Sequence, residues 1–115
     1  MPRESAKCLH DILQAADRIL TFTAGCDLGR YSSDEMLQSA VERQFEIAGE
    51  ALAQLVRHDP ATAARITDHL RIISFRSILI HGYAEVDSRV VWDILSTKVD
   101  TLRAEVQRLL GESDR

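Results

Sequence analysis

Residues 34–57 read DEMLQSAVERQFEIAGEALAQLVR. Leu37, Ala40, Val41, Phe45, Ala48, Leu52, Leu55 and Val56 recur in this stretch at three- and four-residue steps. That period places them along one face of an α-helix, with charged residues on the opposite face. The preceding Ser32 or Ser33 offers an N-cap, and Asp34 and Glu35 put negative charge in the first turn. Gly49 falls inside the helix, where it costs about 1 kcal/mol relative to alanine. The close approach of a second helix, which a side chain would block, explains such a residue.

Working outward, Leu9, Ile12, Leu13, Ala16, Ile19 and Leu20 form a similar stripe, predicting a helix over about residues 4–24. The two glycines between Gly25 and Tyr31 predict a turn. Downstream, the pair Asp59-Pro60 ends the long helix, since proline disfavours helical geometry in the residue before it and fits the first position of the next helix. A third helical segment is expected from about Ala61 to Ile80, with Asp68 to Leu70 as its weak point and Gly82 as its stop. Ile72, Ile73, Phe75, Ile78, Leu79 and Ile80 lie almost all round it. That density predicts burial on more than one side, at a bundle centre or a dimer seam. Asp87 or Ser88 caps a final helix to about Leu110, on which Val91, Ile94, Leu95, Val99, Leu102, Val106 and Leu109 keep a near-heptad rhythm. Nothing alternates with the two-residue period of a strand. The expected fold is therefore all-α: an antiparallel four-helix bundle, with room for a short fifth helix.

The chain has 115 residues, 45% of them hydrophobic, which fits one domain over residues 1–115 and excludes a disordered chain. No apolar run approaches membrane-spanning length and the polar N-terminus has no signal-peptide core, so the expected location is cytoplasmic. Cys8 and Cys26 fit no zinc or redox spacing and read as reduced thiols. His10, His58, His69 and His81 lack the spacing of metal ligands, and neither a metal nor another cofactor is expected.

The net charge of −4 does not advertise nucleic-acid binding. Charge is uneven, however: between Arg57 and His81 four arginines (57, 65, 71 and 76) stand against Asp59 and Asp68, and three of the four histidines lie there. A local basic face of this kind can meet phosphate. It can equally be an ordinary solvated helix face.

The chemistry-bearing stretch is Arg76-Ser77-Ile78-Leu79-Ile80-His81-Gly82-Tyr83. Arginine grips phosphate with a permanently charged fork, histidine exchanges protons near neutral pH, and tyrosine offers a hydroxyl. Metal-independent RNA cleavage needs such parts: a base for the 2′-hydroxyl, an acid for the leaving oxygen and a cation for the phosphate. Arg76 and His81 stand about 500° apart on an ideal helix and share no face. They converge if the helix unwinds before Gly82, or if a second subunit brings its own pair alongside. Spacing alone also accommodates a dipole partner at His81, a surface or interhelical ion pair at Arg76 and a packing residue at Tyr83.

The pattern arginine, four residues, histidine, one residue, tyrosine, filled here by Arg76, His81 and Tyr83, resembles the signature of HepT-like proteins of the HEPN superfamily. The flanks agree: Leu79 to Tyr83 followed by Val86-Asp87 and Val90-Val91-Trp92, and upstream Val41-Glu42-Arg43 with Glu46-Ile47-Ala48-Gly49-Glu50-Ala51. The resemblance covers about residues 5–110. It implies a homodimeric bundle of four or five helices whose two chains line one cleft with Arg76 and His81. It also implies a toxin of a toxin–antitoxin pair, an endoribonuclease of RNA silenced by an MntA-like minimal nucleotidyltransferase that transfers AMP to Tyr83. In that reading His81 is the acid/base, Arg76 binds phosphate, and Ser77 and Tyr83 support them.

The sequence departs from the family at Ser77, where a more strongly polar residue is common. It also departs at residues 68–75, which lack the usual tryptophan and glycine–methionine pair. An alternative is a non-catalytic nucleotide- or partner-binding subunit of a nucleotidyltransferase complex, and a further one is a helical dimer with only a scaffolding role.

Overall fold

The computed structural model describes residues 1–81 and 86–113 of the chain. Its described residues form six helices and no strand: α1 (Arg3–Phe22), α2 (Leu28–Ser33), α3 (Glu35–His58), α4 (Pro60–Ala63), α5 (His69–His81) and α6 (Ser88–Ser113). The all-helical expectation holds. Four of the six are the helices expected from periodicity, and the joints between them hold the two short ones.

The four main helices run up and down. The start of α1 meets the end of α3, where Ser5 Oγ donates to Asp59 Oδ2 at 2.9 Å. The middle of α1 meets α6, where Asp17 pairs with Arg103. Two stacked cores fill the interior. One gathers Leu9, Ile12, Leu52, Leu55, Ile72, Leu102, Val106 and Leu109; the other gathers Ala16, Ile19, Val41, Phe45, Phe75, Val91 and Val99. The stripes read from the sequence thus point inward. Burying a Leu, Ile, Val or Phe side chain in this way contributes about 1.5–3 kcal/mol each.

The joints differ from the expectation. Gly25 takes a positive φ of 76° and turns the chain, but α2 follows at once. Its N-cap is Asp27, whose carboxylate accepts from the Arg30 N–H at 2.8 Å. Ser32 and Ser33 therefore close α2 rather than cap α3. Asp34 caps α3, accepting from the Leu37 N–H at 3.0 Å. Tyr31, on α2, is completely buried and stacks against Trp92 with ring centroids 5.5 Å apart. The region read as a plain turn thus supplies part of the second core.

The third segment is interrupted earlier than expected. Asp59 caps the single turn of α4, and the helix ends at Ala63 with Ala64 as its C-cap. The next helix begins at His69, just past Asp68, which holds the left-handed φ of 58° and pairs with Lys98 at 2.8 Å. Aspartate tolerates that conformation better than most residues. At the far end, α6 runs through Gly111 to Ser113, beyond the expected stop.

α5 packs chiefly on α3, while its Ile72 and Phe75 share the two cores with residues of α6. Only Ile72 and Phe75 are buried on it, Phe75 meeting Phe45 edge-on at 5.3 Å. Ile73 and Leu79 are partly covered. Leu70, Ile78 and Ile80 are 62%, 55% and 43% exposed. The single chain therefore does not place α5 at a bundle centre. One side of this apolar helix is packed and the other is open.

Candidate functional site

α5 is unbroken from His69 to His81, so it carries Arg76, Ser77 and His81 on a continuous helix. Unwinding ahead of Gly82, one of the two ways in which Arg76 and His81 could converge, does not occur within the described residues. The pair stays on different faces in one chain. His81 is the last residue of α5 and is exposed, and so is Ser77. Tyr83 lies outside the described residues.

Arg76 is fixed against α3. A Cβ built on Gly49 would sit 2.5 Å from Arg76 Cβ and 3.0 Å from its Cδ, so the arginine stem lies across the bare glycine backbone. This is the close helix approach for which Gly49 is needed. Beyond the stem, Arg76 Nη2 reaches Glu50 Oε2 at 2.7 Å. Its Nε is buried without a hydrogen-bond partner. The interhelical ion pair left open by the sequence is therefore present, and its acid is Glu50.

The guanidinium borders a groove of about 250 Å³ between α1, α3 and α5. Lys7 and Asp11 line it from α1, Arg43, Glu46, Glu50 and Gln54 from α3, and Ile80 from α5. Its charges are internally balanced: Lys7 pairs with Asp11 at 2.9 Å and Arg43 with Glu46 at 3.1 Å. Next along α3, Glu42 has its carboxyl held above the usual carboxylate range by burial and then by Glu46.

The basic segment from Arg57 to His81 does not make one continuous face. Arg57 reaches back to Glu50 at 3.9 Å, and Arg65 grips Glu112 through two nitrogens at 2.8 and 2.9 Å. Arg71 borders a different, shallow groove with Asp87, Arg89 and Asp93. His69 turns its ring onto the Ile66 carbonyl at 3.1 Å, a local contact at the start of α5. His10 and His58 are exposed. Among the described residues no three His, Cys, Asp or Glu side chains are grouped to hold a metal ion. Among the described residues no helix is long and apolar enough to cross a membrane.

From the sequence Glu50 stood out only as part of the family's second-helix motif, and Gln54 not at all. Glu50 follows the in-helix glycine and stands one helical turn before Gln54. Those neighbours are the only local signal, and the partner on α5 is 26 positions away.

A family model described as Ribonuclease HepT-like matches residues 12–109. A candidate RNase of Methanocaldococcus jannaschii is 30% identical over 91% of this chain and 95% of its own length. A protein of Thermococcus cleftensis named as a probable ribonuclease HepT is 30% identical over 95% of this chain and 98% of its own. A candidate RNase of Caldanaerobacter subterraneus is 26% identical over 89% of this chain and 90% of its own. No solved structure gives a significant match.

Proposed function

Because the chain belongs to the HepT-like ribonuclease family, we propose that it is an endoribonuclease that cuts RNA with its own side chains, Arg76 and His81, and needs no metal. The observation that carries the reading is the placement of Arg76. Its stem is pinned on Gly49, and its guanidinium is turned to the edge of an open groove instead of being spread freely in solvent.

In the reaction, His81 takes the proton of a ribose 2′-hydroxyl. The 2′-oxygen attacks the adjacent phosphorus and the 5′-oxygen leaves, producing a 2′,3′-cyclic phosphate and a 5′-hydroxyl end. A second proton donor serves the leaving oxygen, and Arg76 holds the charge that builds on the phosphoryl oxygens. Ser77, exposed beside Arg76, can hydrogen-bond one of those oxygens.

One chain has a single histidine in this region of α5, and it faces away from Arg76. A two-fold homodimer supplies a second copy of each group. The exposed Leu70 and Ile78 of α5 support that arrangement, since an open apolar helix face of this kind marks an interaction surface. As the toxin of a toxin–antitoxin pair, the protein is silenced when a minimal nucleotidyltransferase joins AMP to the Tyr83 hydroxyl. Anionic groups beside the cleft repel the phosphates of RNA.

The test is cleavage of RNA in EDTA by the wild type and by His81→Ala, with analysis of the product ends. Cleavage by the wild type alone, leaving 2′,3′-cyclic phosphates, is expected. Cleavage that persists in the folded His81→Ala protein refutes the role of His81. A folded wild type, free of AMP by intact mass, that cuts no RNA refutes the enzyme.

A further inference from the structure

We propose that Glu50 is a positioning residue of this ribonuclease, setting the Arg76 guanidinium so that its outer donors face the groove. The proposal rests on the assignment of Arg76 as the phosphate-binding group.

A free arginine side chain samples many rotamers, so an unrestrained Arg76 would meet a phosphate in many orientations. Three contacts remove that freedom. The stem lies on Gly49. The Nε is sealed in the protein, so a sideways grip through Nε and Nη2 is closed to any ligand. Nη2 is held at 2.7 Å by Glu50 Oε2. The contact is a close ion pair, and an Nη2 nitrogen has two N–H bonds, so one carboxylate oxygen does not saturate it. Nη1, which hydrogen-bonds no group among the described residues, and the second N–H of Nη2 remain. Those two form the end-on fork that matches a phosphate. Arg76 can thus hold the protein and the substrate at once.

Glu50 is itself held in place. Its Oε1 accepts from Gln54 Nε2 at 3.2 Å, and Arg57 Nη2 lies 3.9 Å from the same oxygen. Each oxygen of the carboxylate therefore has its own task, Oε1 toward α3 and Oε2 toward Arg76. With a Glu50 side chain 42% exposed, the ion pair contributes little to stability, so what it supplies is orientation.

The experiment compares the full-length wild type with Glu50→Gln, Glu50→Asp, Arg76→Lys, Arg76→Ala and the double variants of Arg76→Lys with Glu50→Gln and with Glu50→Asp. A labelled mixed-sequence RNA pool is the substrate, and thermal melting is recorded for each protein. Glu50→Gln keeps the wild-type melting point, and its kcat falls about tenfold with little change in KM. Glu50→Asp, shorter but charged, recovers part of the loss. The Glu50→Gln/Arg76→Lys double variant is no slower than Arg76→Lys alone, because an arginine-orienting residue has nothing to orient once the arginine is gone.

Wild-type kcat in Glu50→Gln, with Arg76→Lys crippled, overturns the role of Glu50 and leaves Arg76 standing. Independent, multiplying losses also overturn it, as does a faster Glu50→Gln, which would make the carboxylate a competitor of phosphate. Full activity in Arg76→Lys and in Arg76→Ala removes the reading of Arg76 itself, and this proposal with it. If Glu50→Gln melts early, Glu50→Asp and its double variant with Arg76→Lys decide by the same comparison.

Discussion

Gly49 and Arg76 form one contact: the glycine on α3 is the floor on which the arginine stem of α5 lies, with no room for a methyl group between them. In an open helix interior, replacing glycine by alanine would stabilise by about 1 kcal/mol. Here the new Cβ would come within 2.5 Å of the Arg76 Cβ, which is near the helix backbone and cannot swing aside. Overpacking of this kind costs about 1–3 kcal/mol. Gly49→Ala is therefore expected to lower stability in a urea titration, against the sign of helix propensity, and to lower RNA cleavage further by displacing Arg76. A variant more stable than the wild type would show that α5 does not press on α3 at this point.

Tyr31 has the opposite problem. Its hydroxyl is buried with no hydrogen-bond partner among the described residues, and burial, followed by the nearby Glu42, pushes its pKa far up. An unsatisfied buried hydroxyl costs about 1–3 kcal/mol, whereas the ring keeps its stacking with Trp92 without it. Tyr31→Phe should raise the urea midpoint by the equivalent of about 1 kcal/mol. A lowered midpoint would mean that the hydroxyl has a partner in solution.

Asp59 ties three elements together. Its carboxylate accepts from Thr62 Oγ1 at 2.7 Å, from Ser5 Oγ at 2.9 Å and from the Thr62 N–H at 3.2 Å, capping α4 and binding it to the start of α1. The Thr62 hydroxyl first, and the Ser5 hydroxyl next, hold its pKa below the usual carboxylate value. A folded pKa below the unfolded one means that the stabilisation is complete above about pH 4 and is lost as pH falls through the folded pKa. Asp59→Ala should cost about 1 kcal/mol at pH 7. The gap to the wild type should close as the titration is repeated toward pH 2. A gap independent of pH would assign the loss to packing, not to the ionised cap.

The open side of α5 makes a prediction about assembly. Ile78→Asp places a charge on an exposed apolar position remote from Arg76 on the helix. Sedimentation should show the wild type as a dimer and the variant as a monomer of unchanged helicity, with cleavage lost. A wild type that sediments as a monomer at micromolar concentration would remove the dimer from the mechanism.

The main helices were legible because burial follows period. Val91, Ile94, Leu95, Val99, Leu102, Val106 and Leu109, read from sequence as one stripe, are all buried on α6. The family was legible too, since Arg76, His81 and Tyr83 with their flanks carry the resemblance that the family match bears out. The short helices were not. α2 is six residues long, follows the Asp27 cap and contains Gly29, so the glycines that argued for a turn outweighed the cap that argued for a helix. The Glu50–Arg76 pair was also hidden. It depends on how α5 leans on α3, and a 26-residue separation with a left-handed Asp68 between leaves no trace in local periodicity.

That lean has a consequence for how the molecule breathes. α5 leans chiefly on α3, with only Ile72 and Phe75 buried in the shared cores and its Leu70 and Ile78 side bare, between Asp68 at its foot and His81 at its tip. In an isolated chain the amides of α5 are therefore expected to open to solvent before those of α1 and α3. The arginine is thus carried on a helix with one side bare. A partner that covered the bare side of α5 would slow that opening and hold Arg76 in register against Gly49 without touching the arginine itself.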